Sequence, residues 1–363
     1  MSPMDNISLK SIKWESIKAI FHSIASAEQI SRAEISKQTG LSLMTVGKVA
    51  DALLDMNIIV QAKETKSSAG RRAGLLSLSP ENYAVILDLT SRNFIMTIIN
   101  MRLNIVEKYH YSYIDDYYFE ENLTLFLKEV SIFLSRNLKT EACIGFGVSL
   151  PGAYSPETDR CNSIRLPELS QIPIAESVAI LTPDRLCIEG CFNAAATSNI
   201  ARIPNYRDKS ILYCFVGENN VGGTVVHHGE ILRGAHNAAG NFGHMVIQRG
   251  RTLESAIRAD NTPAENAFEL AKAIRNMIMV IDPDTIILEC ELYRNYNVPA
   301  GECSGEEFVQ LVRQVLTEKF EITEDALPEF ISGGCKFRHS HRGLTMKLRE
   351  QWLYEQIFDI PPQ

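Results

Sequence analysis

Residues 31–60, SRAEISKQTGLSLMTVGKVADALLDMNIIV, carry the signals for two helices joined by a tight turn. Ser31 with Glu34 three positions later is the capping-box pattern that begins a helix. Gly40 suits the left-handed turn that ends this first helix. Ser42 is placed to cap a second helix, whose apolar residues recur on one face. This order predicts a helix-turn-helix. The alternative is a three-helix packing unit with no role in DNA binding.

The segment that follows favours a winged form of this motif. Residues 57–79, NIIVQAKETKSSAGRRAGLLSLS, contain two apolar strand runs around a small, basic, glycine-bearing tip, which suits contact with DNA phosphates or a minor groove. An amphipathic helix predicted over residues 14–25 completes the head. The recognition helix presents an apolar reading face, better suited to thymine methyl groups than to guanine edges. The predicted DNA-contacting residues are Arg32, Ser42, Leu43, Met44, Thr45, Gly47, Lys48, Lys63, Lys66, Arg71 and Arg72.

Composition and charge limit the partners. The chain has 363 residues, of which 45% are hydrophobic and 22% are charged, an ordinary globular balance with room for two or three domains. Residues 1–76 hold ten Lys and Arg against seven Asp and Glu, a net charge of +3. Because the whole chain has a net charge of −8, the remaining residues carry −11. Contact with double-stranded DNA is therefore expected only in the N-terminal part.

Targeting signals and cysteine usage predict a cytoplasmic protein. The first twenty residues lack the apolar core of a signal peptide, and no uncharged apolar run reaches membrane-spanning length. The eight cysteines are scattered, without a C-x-C or C-x-x-C pair, which indicates reduced, mostly buried thiols. We expect no membrane insertion.

Beyond residue 80 the pattern changes to short apolar strands followed by amphipathic helices, and this order occurs twice. Such repetition predicts an α/β body of two lobes with a cleft between them. The predicted domains are a winged helix-turn-helix over 1–80, a first α/β lobe over 81–185, and a second lobe with a C-terminal helix over 186–363.

Five motifs carry a resemblance to a known family: GRRAG (70–74), GVSLPG (147–152), NAAATSN (193–199), GEILRGAHNAAGNFGHMVI (229–247) and NMIMVIDPDTIIL (276–288). On these motifs the chain resembles the ROK family of bacterial repressors, sugar kinases and related open reading frames. The resemblance implies a two-lobed actin/hexokinase-like (ribonuclease H-like) body behind the winged head. It covers nearly the whole chain.

The resemblance also shows where the chain departs from the kinases. In the kinase members an Asp in Asn-Asp-Ala-Asn is the general base, and here GCFN (190–193) places Cys191 at that position. Glycines that would approach phosphate are missing from DLTSR (88–92), from GENN (217–220), which introduces Glu218, and from ECEL (289–292). No phosphoryl transfer and no cofactor are expected. A small buried residue at the head of a helix is the structural alternative for Cys191.

The resemblance further implies a sugar-binding set, although each member could instead serve in loop capping and turns. The candidates for effector binding are Asn193, Asn237, Asn241, His244 and Glu254. Two carboxylates and an amide of the kinase pattern are missing from this set, which makes an ordinary hexose effector doubtful. No cysteine follows His244 within residues 245–261, so a four-ligand structural zinc site is not expected either.

The sequence thus predicts a DNA-binding transcriptional regulator, a repressor of carbohydrate-related genes, with a catalytically inactive kinase-like domain for effector sensing and dimerisation. A homodimer or higher homo-oligomer would place two recognition helices on a palindromic operator. Two alternatives remain open. One is an active ATP-dependent sugar kinase, and the other is a constitutive regulator whose vestigial pocket is controlled by a protein partner.

Overall fold

The computed structural model of the protein describes residues 9, 12–62, 74–217, 220–292, 304–333 and 339–358. The chain divides into two compact units. Unit 1 comprises residues 1–148, 178–187 and 345–363, and unit 2 comprises residues 149–177 and 188–344. Unit 1 therefore groups the predicted head with most of the predicted first lobe and with the end of the chain. The three-domain division predicted from sequence remains a prediction.

The head begins with three helices and a two-stranded hairpin: α1 (Trp14–Ser26), α2 (Arg32–Thr39), α3 (Leu43–Asp55), β1 (Ile59–Gln61) and β2 (Leu76–Leu78). The hairpin is antiparallel, with Ile59 opposite Leu78, and Ile30 adds an antiparallel bridge to Leu76. This is the arrangement of a winged helix-turn-helix. The predicted wing residues Lys63, Lys66, Arg71 and Arg72 lie outside the described residues.

The capping signals read from the sequence are confirmed. The Ser31 hydroxyl accepts a hydrogen bond from the Glu34 amide at 3.2 Å, and the Ser31 amide donates to the Glu34 carboxylate at 2.9 Å. These bonds hold the pKa of Glu34 below its usual value. Gly40 has a φ of 70° after α2, and the Ser42 hydroxyl accepts from the Thr45 amide at 3.1 Å. Each helix of the motif therefore begins or ends where its local signal predicts.

The next elements include the first sheet and a separate two-stranded hairpin, β7–β8. They are β3 (Tyr83–Asp88), β4 (Ile95–Asn100), β5 (Ile105–His110), α4 (Phe119–Asn137), β6 (Cys143–Leu150), β7 (Ala153–Ser155), β8 (Arg160–Asn162), α5 (Ile174–Val178) and β9 (Leu186–Gly190). The strand order is β5-β4-β3-β6-β9. The aromatic side chains of α4 pack on this sheet around Phe94, whose ring centroid lies 5.5 Å from that of Phe126.

The second sheet belongs to unit 2. From residue 191 onward the elements are α6 (Cys191–Ile200), β10 (Ser210–Gly217), β11 (Asn220–His227), β12 (Glu230–Ile231), β13 (Val246–Gln248), β14 (Arg251–Thr252), α7 (Leu253–Ala256), α8 (Pro263–Ile281), β15 (Thr285–Cys290), α9 (Gly305–Glu318), β16 (Glu329–Ser332) and α10 (His339–Phe358). The last helix, α10, continues into unit 1, and β13 and β14 form a separate pair. The order is β12-β11-β10-β15-β16, with β10 antiparallel to β11 and parallel to β15. Both sheets thus place their first three strands as a meander and add the fourth and fifth beside the first. This repeated order confirms the duplicated α/β body predicted from sequence.

The C-terminal part of α10 packs within unit 1 against α1. The rings of Trp14 and Tyr354 meet edge to face, 5.1 Å apart. Arg349 lies over the Phe21 ring at 5.3 Å and donates a hydrogen bond to the Met101 carbonyl at 2.9 Å. The head is therefore fixed to the end of the chain by aromatic and cation–π contacts. Among the described residues, no helix is both long enough and apolar enough to cross a membrane.

Candidate DNA-binding surface and effector pocket

The first turn of α3 presents large apolar side chains to solvent. Leu43 is 60% exposed and Met44 is 72% exposed. Lys48 is exposed one turn further on, and the half-buried Thr45 is held at the cap by the Ser42 hydroxyl, 2.9 Å from its own. The opposite face of α3 is buried in the head. The folded head therefore leaves this apolar tip exposed to solvent. Exposed apolar patches of this kind mark interaction surfaces.

Arg32 and Gly47 have a structural part in the same motif. The Arg32 guanidinium forms an ion pair with Asp51 of α3 at 2.5 Å. Gly47 is half-buried, and a Cβ added there would lie 3.9 Å from the Arg32 side chain. The pair connects α2 to α3, so the charge of Arg32 is already partly balanced within the head.

Unit 2 contains a cavity of about 140 Å³ around which all five predicted effector residues come together. An engineered cavity of roughly 150 Å³ holds one benzene ring, so this cavity has room for a single six-membered ring. Its lining residues are Pro151, Gly152, Ala153, Asn162, Ser163, Ile164, Arg165, Gly190, Cys191, Phe192, Asn193, Asn220, Val221, Gly223, Asn237, Ala238, Ala239, Asn241, His244 and Glu254. We call it the sugar cavity below, after the sugar-binding set that the family resemblance implies.

The loop that follows β12 supplies three of the five candidates. It turns at Gly240, whose φ is 89° and whose added Cβ would lie 2.5 Å from the Gly223 carbonyl oxygen of β11. Only glycine allows this close approach. The loop is thus pressed against the sheet, and it holds Asn237, Asn241 and the 3-10 turn that ends at His244 along the cavity.

Asn193 is fixed at both ends of its amide. Its Nδ2 donates to the Glu189 carboxylate at 3.1 Å, and its Oδ1 accepts from the Thr224 hydroxyl at 2.5 Å. It lies in the first turn of α6, because β9 runs directly into that helix. A side chain held in this way presents its remaining hydrogen-bonding positions to the cavity in one orientation.

A buried ion pair that the sequence did not predict supports Asn193. Glu189 is 5% exposed and accepts both guanidinium bonds of Arg233, at 2.9 and 2.6 Å. The amide of Gly190 adds a third bond to the same carboxylate at 3.2 Å. Bidentate geometry of this kind is the strong form of an arginine–carboxylate pair. Arg233 lies within the GEILRGAH motif, but no local signal indicates its partner, 44 residues earlier.

His244 and Glu254 face each other at the cavity. The imidazole Nδ1 lies 3.8 Å from the Glu254 carboxylate, and both side chains are half-buried. His244 is therefore not a histidine of the buried core. Within the described ranges, no three His, Cys, Asp or Glu side chains are grouped so as to hold a metal ion.

Comparisons with known proteins agree with this architecture. No protein-family model matches the chain. A protein of Caldicellulosiruptor sp. strain Rt8B.4, provisionally named a xylose repressor, is 27% identical over 247 residues. The match covers 63% of this chain and 57% of that relative's length. The chain thus spans little more than half the length of this curated relative.

Two solved structures share the fold. The crystal structure of a ROK family transcriptional regulator, described as a homologue of the E. coli MLC protein, superposes with a TM-score of 0.65 and 14% identity, covering 94% of this chain and 98% of the other. A ROK family glucokinase from Streptomyces griseus, in complex with glucose and AMPPNP, gives a TM-score of 0.56 and 11% identity over 74% of this chain and 100% of its own. Both likenesses show that this chain has the fold of these ROK proteins.

Against the ROK kinases, the position of the general base is the first difference in the site. Cys191 is the first residue of α6 and lines the sugar cavity. It is half-buried, whereas the sequence favoured a buried residue, because α6 begins at the cavity wall rather than inside the core. A thiol in place of a carboxylate is a poor acceptor for the proton of a sugar hydroxyl at neutral pH.

Two positions where ROK kinases carry phosphate-binding glycines have local structural uses here. Asp88 accepts hydrogen bonds from the Thr90 amide at 3.0 Å and the Thr90 hydroxyl at 2.5 Å, which closes the turn after β3. Glu289 is 5% exposed and accepts from the Tyr213 hydroxyl at 2.7 Å and from Asn199 at 3.4 Å. Burial together with this carboxylate raises the pKa of Tyr213 well above its ordinary value.

The space beside Glu289 is filled as well. A Cβ added at Gly333 would lie 2.7 Å from the Glu289 Cβ. The Glu289 side chain therefore occupies a position where the resemblance to the kinases implies a glycine. Glu218, the third departure, lies outside the described residues.

Proposed function

We propose that this protein is a DNA-binding transcriptional repressor that responds to a sugar bound in the sugar cavity and transfers no phosphate. The observation that carries the proposal is the exposed apolar tip of α3, formed by Leu43 and Met44 on a winged helix-turn-helix. A recognition helix reads bases with its N-terminal residues. The name of the Caldicellulosiruptor relative supports the same function.

On the DNA, the two side chains of this tip would contact thymine methyl groups in a major groove, while the wing would contact phosphates. A two-fold dimer would place two such helices on half-sites of a palindromic operator. A sugar would release the operator only if it binds the released form more tightly than the DNA-bound form.

The DNA-binding part is tested by selecting binding sites from random double-stranded DNA with the purified protein. The Leu43→Ala, Met44→Ala double variant should bind the selected operator at least about tenfold more weakly, the equivalent of about 1.4 kcal/mol. The matched control replaces Met279 and Val280 of α8, which are 64% and 86% exposed, by alanine. Enrichment of no sequence, or equal operator affinity for both double variants, would overturn the proposal.

The wing is tested on the same operator with Arg71→Ala, Arg72→Ala. If both guanidinium groups meet phosphates, the slope of log affinity against log salt should decrease by about two. An unchanged slope would remove these two residues from the interface.

The effector and the absence of catalysis are tested together. Xylose is the first sugar to titrate into the protein–operator complex, because of the relative's name. The same sugars are incubated with the protein, ATP and Mg²⁺, and phosphorylated product is measured. The ROK kinase fold favours the alternative of catalysis, and product formed in proportion to enzyme would establish it. Cys191 at the position of the general base predicts no product.

A further inference from the structure

A second cavity of about 750 Å³ adjoins the sugar cavity within unit 2. The two share Ala153, Asn162 and Asn237 as common lining residues. Asn162 is exposed and Asn237 is half-buried, so these side chains are open to a ligand that would pass between the cavities. We call this second space the hairpin cavity, because the β7–β8 hairpin forms much of its wall.

The lining of the hairpin cavity suits a polyhydroxylated ligand. It combines hydroxyl, carboxylate, guanidinium and imidazole groups with one aromatic ring, contributed by Tyr154, Ser155, Glu157, Thr158, Arg160, Ser170, Arg233 and His236. A few directed polar groups beside an apolar surface are typical of small-molecule sites. Sugar rings need the same mixture, because they carry hydroxyl groups at the edge and C–H groups on the face.

Two of these groups are held in place before any ligand binds. The Tyr154 hydroxyl donates to Asp159 at 2.8 Å, which fixes the ring against the hairpin. Arg233 is fixed by the bidentate pair with Glu189, yet its side chain is still 44% exposed. Groups already ordered in this way lose little conformational entropy when they bind a ligand.

One carboxylate connects the two cavities. Glu189 accepts from Asn193, which lines the sugar cavity, and from Arg233, which lines the hairpin cavity. A single buried group therefore orients one hydrogen-bonding side chain in each space. A monosaccharide of one ring would use only the first of these.

We propose that the effector is a disaccharide, with one ring in the sugar cavity and the second ring in the hairpin cavity. The glycosidic bond would lie beside Asn162 and Asn237, the shared wall. This inference rests on the proposed function, because it names the class of sugar that the effector site takes. It follows that a disaccharide binds at least about tenfold more tightly than the monosaccharide it contains.

The test is isothermal titration calorimetry of the full chain with matched pairs of sugars: xylose with xylobiose, and glucose with cellobiose and maltose. The blocking variant is His236→Trp, because His236 is exposed and lines the hairpin cavity only. His110→Trp is the matched control, since His110 is exposed at the end of β5 in unit 1.

The proposal expects one disaccharide to bind at least tenfold more tightly than its monosaccharide in the wild type and in H110W. In H236W that advantage should be lost, while monosaccharide affinity stays within about twofold. Equal affinity for both members of every pair, or an H236W variant that keeps the advantage or weakens both sugars equally, would overturn the disaccharide while leaving a sugar-responsive repressor intact. If no sugar gives a heat of binding, both the disaccharide proposal and the proposed sugar response are overturned. Operator binding is measured in a separate experiment and does not depend on this result.

Discussion

Two glycines inside helices provide a sharp test of the packing around the effector site. Gly343 is the fifth residue of α10, and Gly47 is the fifth residue of α3. A Cβ at Gly343 would lie 1.7 Å from the carbonyl oxygen of Ala194 in α6, whereas a Cβ at Gly47 has no neighbour closer than 3.9 Å. The same Gly→Ala change should therefore have opposite effects at the two positions.

The magnitudes follow from these distances. Ordinary contact begins at 3.4 Å, so α10 must withdraw from α6 by about 1.7 Å to admit the new methyl group. Overpacking costs roughly 1–3 kcal/mol, and the upper end applies because a backbone carbonyl cannot rotate away. Alanine returns about 1 kcal/mol of helix propensity. Gly343→Ala should thus destabilise the protein by about 2 kcal/mol, and Gly47→Ala should stabilise it by roughly 0.5–1 kcal/mol.

Urea unfolding followed by circular dichroism, together with thermal melting, measures both variants. For unit 2 unfolding as one cooperative unit, a loss of about 2 kcal/mol corresponds to a melting temperature roughly 4–8 °C lower. Because Ala194 directly follows Asn193 in α6, sugar affinity should fall in Gly343→Ala as well. A midpoint for Gly343→Ala at or above that of the wild type would refute the close contact between α10 and α6.

Two further predictions concern buried titratable groups. Burial lowers the pKa of Arg349 to about 10, a cost of roughly 3 kcal/mol that offsets its cation–π contact and its bond to Met101. The free energy of unfolding of Arg349→Met, measured in urea, should therefore lie within about 1 kcal/mol of the wild-type value. That of Arg349→Ala should be about 3 kcal/mol lower, because this change also leaves a cavity. Equal losses of stability in both variants would contradict this. Burial raises the pKa of Cys143 to about 11 and that of Cys161 to about 12, against roughly 8.5 in an unfolded chain. The stabilisation is complete below pH 8.5 and is lost as pH rises through the folded-state values, since only the unfolded chain releases the proton. Unfolding free energy should thus drop between pH 8 and 10, and less so in the double alanine variant; identical slopes for variant and wild type would contradict the assignment.

The head was predictable because its signals are local. The bonds from Ser31 to Glu34 and from Ser42 to Thr45 join residues three positions apart, and the left-handed turn needs only Gly40. The DNA contacts predicted for this head remain predictions. Strand order was less accessible, because pairing β10 with β15 brings together residues about seventy positions apart. No turn or cap signal specifies a neighbour at that distance.

In the candidate site, too, the features set by local sequence were predictable and those set by long-range packing were not. Asn237, Asn241 and His244 stand close together in one motif, and the loop that carries them lies along the sugar cavity as a unit. Glu189 and Arg233 were not predicted, because neither residue type indicates a partner 44 positions away. The hairpin cavity is also formed by residues that are distant in the chain, so no local pattern in the sequence predicts it.

The glycines of β11 explain why motifs alone mislead about phosphate chemistry in this fold. A Cβ at Gly223 would lie 1.9 Å from the Tyr213 carbonyl oxygen, and one at Gly222 would lie 2.4 Å from the Phe192 ring. Packing within unit 2 therefore requires both glycines whether or not a phosphate is bound. At Glu289 the side chain instead fills the space and accepts hydrogen bonds from Tyr213 and Asn199. A glycine that packing requires carries no information about catalysis. The positions without glycine therefore weigh more heavily than the pair in β11 when this body is compared with the ROK kinases.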